Sequence, residues 1–263
     1  MEYKSISCNS LVNKITKTDN LFIGDYSVDP YQNCEFGCRY CDSSFEKTIY
    51  IKSNAVQIFK QEIENLPKGV IIIGSVHDPY QKVEKEYKIT RNLLEVIEEY
   101  KFPCHVLTKS DLILRDIDIL KKIENCVVTI SITTLDKHIS DIFEEELPLP
   151  EERLKIVETL SKSKIKTGLA VIPVLPYIVD EELAEVVKSA REHMASYVLH
   201  KYLELKGDQK TLYYKTIKKN FPRLLSKYRT LYGDAYIPNK KYISELNSKM
   251  DQYYKKYEIS NKI

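Results

Sequence analysis

Residues 34–41 read Cys34-Glu-Phe-Gly-Cys38-Arg-Tyr-Cys41, a C-x₃-C-x₂-C run held within one short loop. Three thiolates at this spacing can grip three corners of a cubane iron–sulfur cluster, whereas protein thiolates normally hold all four irons. No fourth cysteine lies nearby, so one iron would stay open to another ligand. Gly37 lets the loop fold back on itself, and Tyr40 puts an aromatic ring beside the last cysteine. The competing reading is a structural zinc site. Zinc wants four ligands, usually in paired sets, and the sequence offers no second pair.

Outward from the loop, short apolar runs alternate with amphipathic segments. Leu21–Val28 precedes the cysteines, and Val70–Gly74, Cys104–Leu107, Val127–Ile132, Gly168–Ile172 and Tyr197–Leu203 follow, giving six expected strands. Between them, Leu93, Val96, Ile97 and Tyr100 fall on one helical face, as do Ile113, Ile117, Leu120 and Ile123, and Leu183, Val186, Val187 and Ala190. Continuous apolar strands separated by helices imply a parallel sheet covered on its outer side. Six such units fall two short of a closed barrel. The expected fold is therefore an α/β partial (β/α)₆ TIM-like barrel with C-terminal helices and with chemistry at the C-terminal strand ends. Pro148, Pro150, Glu151 and Glu152 read as a local helix start. The expected organisation is a core over 1–205 and a basic, Tyr- and Lys-rich helical extension over 206–263.

The 263 residues are 43% hydrophobic and 30% charged, with a net charge of +2, so the whole chain makes no electrostatic claim about partners. Six cysteines, three of them clustered, fit a reducing cytoplasm better than a disulfide scaffold. Met1–Ser10 has no apolar core of a signal peptide, and the apolar runs are too short or too broken by proline to span a bilayer. A cytoplasmic protein without membrane contact is expected.

Each strand end carries groups that could face the barrel mouth. The second runs into Gly74-Ser-Val-His-Asp-Pro-Tyr-Gln81, where small residues permit close approach of a ligand and Ser75 and Asp78 offer polar contacts. The plain alternative is a βα loop turned by Asp-Pro, and His77 alone is uninformative. The third ends in Leu107-Thr-Lys-Ser-Asp111, with Ser110 or Asp111 as a helix cap and Lys109 near the mouth. There Lys109 could meet a carboxylate or simply be solvated. In the fourth, Thr129, Ser131 and Thr133 share one face, either lining the lumen or packing between strands. The fifth continues through Pro173 and Pro176, which suit an apolar wall for an adenine ring or an ordinary core edge.

Taken together, the Asp29-Pro-Tyr-x₂-Cys34 entry, the cysteine triad, Gly74–Glu84, Leu107-Thr-Lys-Ser110, Ser131-Ile-Thr-Thr134 and Pro173-x₂-Pro176 resemble the spore photoproduct lyase-like branch of the radical S-adenosylmethionine (radical SAM) superfamily, its shorter members above all. The resemblance spans roughly residues 20–205. It implies that Cys34, Cys38 and Cys41 ligate a 4Fe–4S cluster and that S-adenosyl-L-methionine chelates the fourth iron. One-electron cleavage would then give a 5′-deoxyadenosyl radical that abstracts hydrogen from the substrate. It further implies cofactor contacts from Tyr40, Gly74, Ser75, Asp78, Lys109 and Ser131, and an electron supply from a flavodoxin- or ferredoxin-type protein. One departure stands out: the photoproduct lyase has a hydrogen-donating cysteine just before the serine that matches Ser75, and this chain has Gly74 there. Cys104 and Cys126 sit at strand starts, away from the active end, and read as small hydrophobes.

Residues 201–263 carry 15 lysines and arginines against 6 acids, a balance of +9, which leaves −7 for the rest. With Tyr213, Tyr214, Tyr228, Tyr232, Tyr236 and Tyr242 interleaved, this segment reads either as a nucleic-acid surface with stacking aromatics or as solvated helices closing the barrel, their tyrosines inward. Nucleic acid is the first substrate expectation, and a small molecule or protein side chain the second. A non-catalytic iron–sulfur protein, sensing or transferring electrons, is the rival from another class.

Overall fold

The computed structural model describes residues 1–16, 21–45 and 47–263. Among the described residues, ten strands form two sheets: β1 (Glu2–Ile6), β2 (Val12–Lys14), β3 (Tyr26–Val28), β4 (Tyr31–Gln32), β5 (Thr48–Lys52), β6 (Ile71–Ile73), β7 (Cys104–Thr108), β8 (Val127–Ser131), β9 (Lys166–Val174) and β10 (Val198–Tyr202). The larger sheet runs β10-β9-β8-β7-β6-β3-β2. Its six strands from β3 to β10 pair in parallel, and β2 adds an antiparallel edge. These are the six expected strands, and the open (β/α)₆ barrel is the architecture observed. Both β7 and β8 are buried along their whole length, as a parallel strand under covering helices must be.

The described residues also form α1 (Ala55–Ile63), α2 (Glu84–Tyr87), α4 (Ile117–Leu120) and α5 (Lys137–Phe143), and apolar spacing accounts for the helices that cover the sheet. In α3 (Ile89–Glu99), Ile89, Leu93, Leu94, Val96 and Ile97 are buried, and in α7 (Leu183–Glu192) so are Leu183, Val186, Val187 and Ala190. The expected start near Pro150 is the first residue of α6 (Pro150–Lys162), where the Glu152 carboxylate accepts the Leu149 amide at 2.7 Å. Of the described helices, none is long and apolar enough to cross a membrane. The C-terminal segment forms α8 (Gly207–Asn220), α9 (Leu225–Tyr232) and α10 (Lys240–Lys256). Helix α10 packs on α7 and on the open-edge strand β10. Tyr213, Tyr228, Tyr232 and Tyr242 are buried in this packing, while Tyr236 is exposed. Four of the six interleaved tyrosines thus face inward, leaving the lysines as the outward feature.

Two local expectations need correction, and one element is an addition. The first strand begins at Tyr26 and not at Leu21, because Asp25 turns the chain. Its amide donates to the Val70 carbonyl, and its carboxylate accepts the Val70 amide at 2.7 Å. The helix expected through Ile113–Ile123 is split into a 3-10 turn, Asp111–Asp116, and a single turn, Ile117–Leu120. Asp116 is held inside by Tyr80, Arg91 and Arg115 at that break. The small sheet β1-β5-β4 was not foreseen. Here β1 pairs β5 in parallel across more than forty residues of sequence, beside the cysteine loop.

Candidate functional site: a cysteine-lined cavity at the barrel mouth

The cysteine loop leaves β4 through Asn33, whose φ is 68°, and its backbone is fastened on two sides. On the first, the Gln81 side chain accepts the Glu35 amide at 2.8 Å and donates to the Asn33 carbonyl at 2.9 Å. The Glu35 carboxylate takes the Val83 amide at 3.0 Å and the Tyr3 hydroxyl at 2.8 Å. On the second, the Arg39 amide donates to the Phe143 carbonyl at 2.9 Å, and the Gln209 side chain of α8 donates to the Tyr40 carbonyl. Gly37, with φ 59°, makes the expected fold-back.

Cys34, Cys38 and Cys41 border one cavity of about 160 Å³ at the C-terminal ends of β6, β7 and β8. Gly74, Ser75, Asp78, Lys109, Ser131 and Tyr40 line the same cavity, so every site residue expected from the sequence is brought together there. Phe22, Leu107 and Ile172 add apolar wall. Among the described residues, no three His, Cys, Asp or Glu side chains close around a point as a single ion requires. The thiols instead surround a cavity.

The donor set suits an iron–sulfur cluster on chemical grounds. All three thiols are free, and burial pushes each of them up, Cys38 to about 12. Such thiols give up their protons to a strong electrophile and not to water. Lys109 favours the thiolates of Cys38 and Cys41. Its own ammonium is disfavoured by burial, but Cys38, Glu144, Asp78 and Cys41 outweigh that and raise its pKa.

Three of these residues also serve the protein itself. Asp78 spends its oxygens on the protein, accepting the Thr108 hydroxyl at 2.7 Å, the Lys109 amide at 2.8 Å and the Tyr80 amide at 2.9 Å. It sets the backbone that aims Lys109. Gly74 is required by the protein itself, since its φ is 88° and a Cβ there would lie 2.3 Å from the Leu107 carbonyl oxygen. A cysteine cannot occupy that position in this backbone. Tyr40 lines the cavity, but its hydroxyl donates to Glu144, and the Thr133 hydroxyl lies 3.1 Å away. Thr129, on the same face as Ser131, bonds His105 at 2.7 Å and Tyr197 at 2.6 Å deeper in the lumen.

Glu144 and Arg153 join the site without any local signal in the sequence. Both side chains are fully buried and ion-paired. Arg153 also donates to the Ser131 carbonyl at 3.0 Å and the Pro148 carbonyl at 3.0 Å. Burial works against the Glu144 carboxylate, yet Arg153, Lys109 and Tyr40 hold it below the ordinary carboxylate range. Asp29, at the end of β3, is also buried, and its Oδ1 has no hydrogen-bond partner among the described residues. Burial raises its pKa against the pull of His77 and Lys52.

Residues 28–190 match the family model of the radical SAM superfamily. A protein of Methanocaldococcus jannaschii named only as uncharacterized is 28% identical over 204 residues, covering 75% of this chain and 76% of its own length. Another, from Mycobacterium tuberculosis, is 24% identical over 257 residues, covering 90% of this chain and 75% of its own. Among solved structures, a spore photoproduct lyase variant superposes with a TM-score of 0.72 at 16% identity, over 97% of this chain and 79% of that one. SuiB of Streptococcus suis, bound to S-adenosylmethionine, gives 0.60 at 18% identity, over 88% and 47%. These likenesses are of fold.

Proposed function

The chain belongs to the radical SAM superfamily, and from that premise we propose that Cys34, Cys38 and Cys41 hold a 4Fe–4S cluster beside a cavity that takes S-adenosyl-L-methionine. The carrying observation is that the three thiols, Lys109, Ser75 and Ser131 border one cavity at the ends of parallel strands. When bound, the cluster and cofactor supply a 5′-deoxyadenosyl radical for hydrogen abstraction. The protein's part is to hold and shield. Lys109, aimed by Asp78, pairs with the cofactor carboxylate; Gly74 and Ser75 receive the methionine amine with their backbone; and Ser131 faces the ribose. Phe22, Leu107 and Ile172 keep water from the reacting centre.

For the substrate, nucleic acid is the class this reading favours. A spore photoproduct lyase of the same fold has been solved with a dinucleoside spore photoproduct bound. The outward-facing lysines of α8–α10 could track a phosphate backbone, and such binding must weaken steeply with salt. The Gly74 backbone argues against a hydrogen-returning cysteine at that point, so repair chemistry by that route is not proposed. The electron comes from a flavodoxin- or ferredoxin-type protein, in a reducing cytoplasm that keeps the six thiols free.

Anaerobic reconstitution tests the reading. It predicts an S-adenosylmethionine-dependent change in the cluster's EPR signal and release of 5′-deoxyadenosine on reduction. A reconstituted cluster that ignores S-adenosylmethionine would leave the rival, a non-catalytic iron–sulfur protein.

A further inference from the structure

We infer that Glu144 is the positioning residue of the cysteine loop and that its fixed negative charge lowers the reduction potential of the cluster held there; this rests on the cluster reading above. Glu144 opens the acidic run Glu144-Glu145-Glu146. Glu145 and Glu146 stay at the surface, paired with Arg39 and Lys82, whereas Glu144 is 1% exposed. Burying a carboxylate is costly unless it is paired and hydrogen-bonded, and the bonds Glu144 makes lead to the cavity. One oxygen accepts the Tyr40 hydroxyl and lies 3.0 Å from the Thr133 hydroxyl. The other takes Arg153, which grips the Ser131 carbonyl. Tyr40 sits between Cys38 and Cys41, and Ser131 ends β8 on the opposite lip. One buried pair therefore sets the span between the cysteine loop and that lip.

A neutral glutamine has one acceptor oxygen and could keep Tyr40 or Arg153 but not both; the charge calls for its own account beside these bonds. In a dry interior a charge acts strongly on its neighbours, and cluster potentials respond to net charge and hydrogen bonding nearby. Glu144 acts electrostatically on Cys38 and on Lys109. A fixed negative charge there disfavours adding an electron to the cluster. Arg153 offsets only part of that field, because it is also engaged by the Pro148 and Ser131 carbonyls.

The test is a potentiometric titration, read by EPR, of reconstituted protein without S-adenosylmethionine. Glu144→Gln should raise the reduced-to-oxidised ratio at fixed poise at least tenfold, a shift of about 59 mV for one electron. Glu146→Gln, at the surface, should leave the ratio unchanged. Where Glu144→Gln is poorly folded, Glu144→Gln/Arg153→Met removes both charges and should shift the ratio in the same direction by less. An unchanged potential in a loaded Glu144→Gln protein overturns the inference. Folded variants that load no cluster overturn the claim on the potential and leave Glu144 a positioning residue alone. A wild-type chain that loads no cluster overturns the reading beneath it, a result separable from the other two.

Discussion

Two buried carboxylates stand near the cysteine loop, one holding the strand that enters it and one bonded to the loop itself, and they are built differently. Glu84 takes the Tyr31 hydroxyl of β4, the Thr90 amide and Arg115. Arg115 and Arg91 then share Asp116, and Arg91 runs on to Asp118 and Glu95. The arginine side chains of that brace are 23% and 25% exposed, so its charge drains to water. In the Glu144–Arg153 brace both partners are at 0%. The first tolerates loss of a member because solvent can take over. The second is sealed next to the cavity, where each charge depends on the other.

Breaking the sealed pair should have the largest effect. Arg153→Ala leaves Glu144 buried and uncompensated and should cost about 3–5 kcal/mol of stability in urea titrations of the cluster-free protein. A loss below that of Arg115→Ala would erase the distinction. His105 asks whether dryness alone sets the scale, since burial lowers its pKa from 6.5 to about 4. The unfolded chain binds a proton that folded His105 refuses. Its contribution is therefore full above the unfolded value, declines as pH falls from 6.5 towards 4, and amounts to about 3 kcal/mol. His105→Gln should flatten that limb of a stability–pH curve. Arg115→Ala, in the vented brace, should cost about 2 kcal/mol. Smallest, Lys109→Ala should weaken S-adenosylmethionine binding about tenfold, about 1.4 kcal/mol, with the cluster signal intact. Unchanged calorimetric affinity would remove Lys109 from the cofactor site.

The parts legible in the sequence were those with local signatures. The cysteine spacing, the apolar runs of β7 and β8, and the Lys109 and Ser131 strand ends needed no distant partner to be recognised. What escaped was set by partners far along the chain. In the sequence Glu144 is one of three consecutive acids and Arg153 one charge within a charged helix, and neither position carries a local sign of burial. Only the fold reveals that they meet inside. The β1–β5 pair joins residues 2–6 to residues 48–52 through strands that are mostly exposed on β1, a pattern that carries no periodic signal. Gly74 was legible as a site residue, but its reason was not. Only the observed φ and the nearness of the Leu107 carbonyl identify the constraint.

The bond from Gln209 to the Tyr40 carbonyl orders events in time. The ribosome delivers the cysteines early and Gln209 after roughly four-fifths of the chain has been made. The loop gains its last fastening only when α8 docks, with the tyrosine-packed helices behind it. A fully braced loop is therefore a late product of synthesis, and a chain arrested before α8 would present its three thiols on a loop tied to Phe143 and Glu144 but lacking that last fastening.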